Sequence, residues 1–191
     1  AEGPVIQEAD IRALSGGVTT DDIFDMVKKL REKTEIPLVF MTYLNPVFHY
    51  GYEAFFERCQ DVGIDGIIIP DLPFEEKEEV DVVASRYGID LISMIAPTSK
   101  ERIRKIAKGA KGFLYVVSSM GVTGERTNIT TDIGGMLKEI RSVSSVPAAV
   151  GFGIHTPDQA AEISKTADGV IVGSAVVKLI AKYGSHAGGH L

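Results

Sequence analysis

At 191 residues, with 45% hydrophobic and 24% charged positions, the chain has the balance of a globular protein with one sizeable core. Its net charge of −6 argues against a nucleic-acid or anionic-membrane partner, because either would repel it at long range. The lone cysteine excludes an intrachain disulfide framework, and no apolar run approaches the ~20 residues that span a bilayer. The opening Ala1-Glu2-Gly3-Pro4 lacks a basic region followed by an apolar stretch, so the expected compartment is cytoplasmic.

The first predicted element is a helix from Val5 to Leu14, with Gly16-Gly17 suited to a left-handed C-terminal cap. Thr19-Thr20-Asp21-Asp22 then starts a helix to about Lys33, its hydroxyl and acidic first turn serving the exposed N–H groups. From there, short apolar runs alternate with helix-period stretches, with no hairpin signature between them. Strands are predicted at Pro37 to Tyr43, Gly66 to Pro70, Leu91 to Ala96, Phe113 to Ser118, Ala148 to Phe152 and Val170 to Val172. Helices are predicted over Gly51 to Val62, Glu75 to Tyr87, Ser99 to Lys108 and Asp132 to Val143. Thr156-Pro157-Asp158-Gln159 is the clearest helix start, with proline at the first helical position and glutamine closing a capping box. The strands are nearly uniformly apolar, as parallel strands covered on both faces are.

Six such βα units fit an open doubly wound sheet or an incomplete (β/α)8 barrel. The chain opens in a helix with no strand before it, and Gly184 to Leu191 reads as a loop where another helix is expected. This predicts one partial barrel domain over residues 1–191, truncated at both ends, with roughly six of the eight units present.

In a parallel barrel the functional groups stand at the C-terminal ends of the strands. Three glycine clusters lie there: Gly121-Val122-Thr123-Gly124, Gly151-Phe152-Gly153-Ile154 and Gly173-Ser174-Ala175. Taken singly, each glycine need only permit a tight turn. Two clusters on the last two strands instead predict a phosphate cradle, since glycine allows close backbone approach and a helix start favours an anion. The acid–base candidates are Asp71, Glu75, Glu76, Tyr43 and Tyr115. Asp71 ends a strand, as a catalytic carboxylate or a loop brace would; the tyrosines suit a pocket wall or core packing. Cys59 reads as a buried structural thiol. His49, His155, His186 and His190 lack ligand-like pairing, and no metal site is predicted.

Ala1-Glu2-Gly3-Pro4-Val5-Ile6-Gln7, Asp71-Leu72-Pro73-Phe74-Glu75-Glu76, the three glycine clusters and Val176-Val177-Lys178 occur in the order and context of the tryptophan synthase α subunits, which the chain resembles over nearly its whole length. The resemblance implies a TIM-barrel lyase of tryptophan biosynthesis that cleaves indole-3-glycerol phosphate to indole and glyceraldehyde 3-phosphate by a retro-aldol reaction. It implies no cofactor on this subunit, pyridoxal phosphate on a partner β subunit, and an α2β2 heterotetramer. Tyr43, Ile68, Ile95, Tyr115, Thr123 and Phe152 would contact substrate, with Tyr115 also supporting a catalytic glutamate. Gly124, Gly153, Gly173 and Ser174 would hold the phosphate, and Asn45, Asp71 and Pro73 would face the β subunit. The family's catalytic glutamate and aspartate fall before the segment that matches Ala1. The alternative function is therefore a catalytically incomplete unit that binds a phosphate ligand and modulates a β subunit.

Overall fold

A computed structural model describes residues 3–118, 132–151, 153–154 and 156–190. The first helix, α1 (Pro4–Ser15), stops where Gly17 takes φ +78° and the Gly17 and Val18 N–H groups bond back to the Leu14 and Ala13 carbonyls at 3.0 and 3.2 Å. The second, α2 (Thr20–Arg31), starts in a full capping box between Thr19 and Asp22.

The strands follow in chain order: β1 (Val39–Met41), β2 (Gly66–Ile68), β3 (Asp90–Leu91), β4 (Ser93–Ile95), β5 (Leu114–Val117), β6 (Ala148–Gly151) and β7 (Gly169–Val170). Every pairing is parallel and joins sequential neighbours, β1-β2-β3 in one sheet and β4-β5-β6-β7 in the other. β3 and β4 are one run interrupted only at Ile92, whose N–H still donates to the Ile67 carbonyl at 2.9 Å. The first half of that run pairs with β2 and the second with β5, which is the stagger that tilted barrel strands require. A doubly wound sheet would reverse its strand order at a switch point. Among the described residues the order never reverses, so the open-sheet alternative falls and the barrel stands.

Strand side chains sort into two faces by alternation. Ile68, Ile92 and Tyr115, with Val39, Met94, Phe113, Val117 and Ile171, pack on one another inside the curve. Their neighbours Ile67, Ile69 and Leu91, then Ile95, Leu114, Val116, Ala148 and Val150, pack outward against the helices. The outer layer comprises α3 (Leu44–Tyr50), α4 (Tyr52–Val62), α5 (Glu78–Arg86), α6 (Lys100–Lys108), α7 (Ile133–Arg141), α8 (Pro157–Ile163) and α9 (Ser174–Tyr183). Fully buried Phe24 meets Phe40, Tyr50 and Phe55 edge-on at 5.4 to 5.7 Å, contacts worth about 0.5–1.5 kcal/mol each beyond burial. α1 lies against α9, so the two ends of the chain meet.

The structure departs from expectation at a few boundaries. The helix α3 was not signalled, because Pro46 reads as a breaker; in the first turn its missing N–H costs nothing. The predicted start at Glu75 moves to Glu78, after a turn over residues 74–77. Residues Gly184–His190, expected as a loop, form a 3-10 helix whose His190 ring stacks on Tyr183 at 3.7 Å. Thr156 and Gln159 close the anticipated capping box.

Candidate functional site

The C-terminal ends of the strands converge at one mouth, and the interior face leads up to it. Tyr115 is the polar member of that face. It is 7% exposed, and burial pushes its phenol above the usual range. Its ring crosses towards β6, where a Cβ built on Gly151 would stand 2.6 Å from Tyr115 Oη and 3.0 Å from Ile171 Cβ. Position 151 is therefore glycine by necessity, since any side chain would occupy the space the phenol fills. Ile68, 6% exposed, lies in the same interior cluster.

Ile95 does not. It is wholly buried among Ile103, Ile106 and Leu114 on the helix-facing side, so the expectation that it lines the interior is corrected. The residue on that strand that faces inward is Met94. Sequence reasoning missed it because a uniformly apolar run hides the period-2 alternation; pairing Met94 with Tyr115 across β4 and β5 reveals it.

Beyond β6, Gly153 adopts φ +80°, and beyond β7, Gly173 forms the N-cap of α9 without any side-chain cap bond. Among the described residues no atom lies within 4 Å of a Cβ position at either glycine. The first-turn N–H groups of Ser174, Ala175 and Val176 have no acceptor within the helix. Open backbone and outward N–H groups are what an anion requires. Thr123, Gly124 and Phe152 lie outside the described residues.

Tyr43 follows β1 as the N-cap of α3 and is 42% exposed. It borders a cleft of about 460 Å³ beside β1, between Phe40 and Met41 of that strand, Pro70 after β2, Leu14 of α1, Ile23 of α2 and Val18 between those helices. That cleft touches neither Ile68, Tyr115 nor the two glycine loops, so of the candidate residues described it takes in Tyr43 alone.

Asn45, in the first turn of α3, and Asp71 and Pro73, on the loop after β2, are all exposed. Asp71 Oδ1 accepts the Leu44 N–H at 2.9 Å, which makes it a brace between those loops. Of the two roles left open for this carboxylate, the brace is the one the structure shows. Glu75 is held in a bidentate pair with Arg102 at 2.7 and 3.1 Å. Cys59 is buried, and burial pushes its thiol up to about 12. Among the described residues no three His, Cys, Asp or Glu side chains gather as a metal site, and no helix is long and apolar enough to cross a membrane.

The sequence matches the family model of the tryptophan synthase alpha chain over residues 1–189. It is 54% identical over 182 residues to the tryptophan synthase alpha chain of Lacticaseibacillus casei, an alignment covering 95% of this chain and 68% of that protein. The corresponding protein of Caldanaerobacter subterraneus is 50% identical over 182 residues, covering 95% of this chain and 70% of its own. In three dimensions the chain superposes on the tryptophan synthase a2b2 complex of Pyrococcus furiosus with a TM-score of 0.89 at 35% identity, over 100% of this chain and 78% of that one. The tryptophan synthase alpha chain of Legionella pneumophila gives a TM-score of 0.83 at 38% identity, over 95% and 68%.

Proposed function

Because the chain belongs to the tryptophan synthase alpha chain family, we propose that it works as that lyase subunit, binding indole-3-glycerol phosphate at the barrel mouth for retro-aldol cleavage to indole and glyceraldehyde 3-phosphate. The observation that carries the reading is the coincidence of family membership with an interior face ending in two open glycine loops on adjacent strands.

In this reading Ile68, Met94 and Tyr115 form the apolar wall for the indole ring, and Tyr43, after β1, contacts the substrate from the loop side. Gly153, Gly173 and Ser174 take the phosphate together with Gly124, while Thr123 and Phe152 contact the substrate. Cleavage requires a proton delivered to the indole ring carbon and one removed from the glycerol hydroxyl as the carbon–carbon bond breaks. A carboxylate pair in unlike environments suits that exchange. Tyr115, its phenol kept neutral by burial, is a hydrogen-bond donor able to orient one of them.

The subunit needs no cofactor of its own in this scheme; pyridoxal phosphate belongs to a β subunit. That subunit would dock on the rim formed by Asn45, Asp71 and Pro73 in a cytoplasmic α2β2 heterotetramer, with residues 1–191 acting as one partial-barrel domain. The second reading is a unit that binds a phosphate ligand at the open backbone of Gly153 and Gly173 and modulates a β subunit without cleaving substrate.

One assay separates the two. Indole release from indole-3-glycerol phosphate, measured with and without a β subunit, marks the lyase. Raised β-subunit turnover without indole release marks the modulator. A chain that neither binds the substrate nor changes β-subunit turnover would sink both.

A further inference from the structure

The β6–β7 ladder matches only two residue pairs, Ala149 with Gly169 and Val150 with Val170. So short a pairing specifies register weakly, and a one-residue slip would turn every β7 side chain to the opposite face. A polar clasp reinforces it at the N-terminal end. The Asp168 N–H donates to the Ala148 carbonyl at 3.0 Å, and the Ala148 N–H donates in return to Asp168 Oδ2 at 3.0 Å. Arg141, at the end of α7, donates to Asp168 Oδ1 at 3.3 Å and to the Thr166 carbonyl at 2.8 Å. The Ala148 amide holds the Asp168 carboxyl below the usual carboxylate range, with burial opposing and Arg141 assisting, so the clasp is charged at neutral pH.

Gly153 and Gly173 each stand four residues beyond the Ala149–Gly169 pair, one after each strand. We propose that Asp168 and Arg141 are positioning residues for the phosphate cradle: by locking β7 against β6 at one end of the strands, they hold Gly153 and the Gly173–Ser174 backbone in line at the other. The inference rests on the phosphate reading of those two loops.

The same clasp occurs once more, away from the cradle. Asp65, just before β2, accepts the Leu38 N–H at 2.7 Å and pairs with Arg31, which also donates to the Gly63 carbonyl at 2.7 Å. Arg31 precedes Leu38 by the same interval that separates Arg141 from Ala148, and an Asp-Gly pair opens the second strand in both. The strands it joins lead to Tyr43 and Asp71, not to the glycine loops, so it supplies the control.

The test titrates inorganic phosphate into the full chain and into its Asp168→Ala and Asp65→Ala variants, reading Kd from the amide NMR shifts of Gly173 and Ser174. Urea unfolding of each variant ranks the stability losses. The expected result is a Kd raised roughly tenfold by Asp168→Ala, the equivalent of one hydrogen bond to the anion, and left unchanged by Asp65→Ala at a similar stability loss. Equal affinities in the two variants would overturn the positioning role and leave the cradle intact. No binding by the unsubstituted chain would overturn the cradle and the positioning role together. If Asp168→Ala fails to fold, Asp168→Asn, which keeps one acceptor oxygen, is read against Asp65→Asn by the same criteria.

Discussion

The Leu44 N–H donates to Asp71 Oδ1 at 2.9 Å, so the loop after β2 caps the helix that follows β1. One carboxylate thereby ties two successive βα units together at the rim where the partner subunit is proposed to dock. Replacing Asp71 with alanine should destabilise the chain by about 1 kcal/mol, the usual cost of losing a helix N-cap. Amide exchange should accelerate first across α3, because its first turn loses its acceptor. Unchanged exchange in residues 44–50 would show that the brace contributes nothing in solution.

Met94 and Ile95 are chain neighbours with opposite destinations, which gives a paired test. Truncating Ile95 to alanine should cost about 2–5 kcal/mol by opening a cavity between β4 and α6. Its effect on substrate affinity should be small. Met94→Ala should reverse that pattern, costing less in urea denaturation and more in the affinity for an indole-bearing ligand measured by calorimetry. A larger affinity loss from Ile95→Ala would mean that the strand faces are assigned the wrong way round.

Gly151 has no room for a side chain, because Tyr115 Oη and Ile171 Cβ already occupy it. Gly151→Ala should therefore cost about 1–3 kcal/mol of overpacking strain. Adding Tyr115→Phe should recover part of the loss, since the closest contact is to the hydroxyl oxygen while the ring carbon behind it remains. Additive losses in the double variant, measured by thermal denaturation, would contradict this.

Cys59 should be unreactive in the folded chain. Burial pushes its ionisation up to about 12, against 9.0 for an exposed thiol. A disulfide reagent at pH 8 should modify it only as urea unfolds the protein. The linkage has a definite sign. Between pH 9 and pH 12 the unfolded thiol has lost its proton while the folded one retains it, so stability is complete below pH 9 and falls as pH rises through this window. Buried Tyr115, also shifted upward, adds to the fall. Cys59→Ala should show a shallower decline over the same range.

At the acid end the contributing groups shift the other way. Burial pushes the Glu139 carboxyl up, but Lys100 and Arg104, at 3.3 and 2.5 Å, together outweigh it and hold it below the ordinary 4.5. Asp168 is held below 3.8 chiefly by the Ala148 amide. Both contributions are present above those values and disappear as pH falls through the depressed folded ones. Glu139→Gln should flatten the loss of stability below pH 4.5 in acid titrations followed by circular dichroism.

The features legible in the sequence were those written in short stretches of chain. Thr19 with Asp22 and Thr156 with Gln159 announced two capping boxes, Gly16-Gly17 announced the end of α1, and six apolar runs announced the strand order, because each depends on residues a few positions apart. The glycines at 153 and 173 were also readable, since their position after successive strands is a matter of chain order.

The rest depended on residues far apart in the chain. Which of Met94 and Ile95 faces the interior is set by the register of β4 on β5, and Asp71 was only a strand-end carboxylate until the fold set Leu44 against it. The barrel itself was one of two architectures until the pairings proved sequential throughout. Caps and turns are decided by backbone groups within one turn of the chain, whereas register, facing and curvature come from pairing between distant segments. By itself the sequence determined the elements and their order; the tertiary pairing decided which side chains look inward.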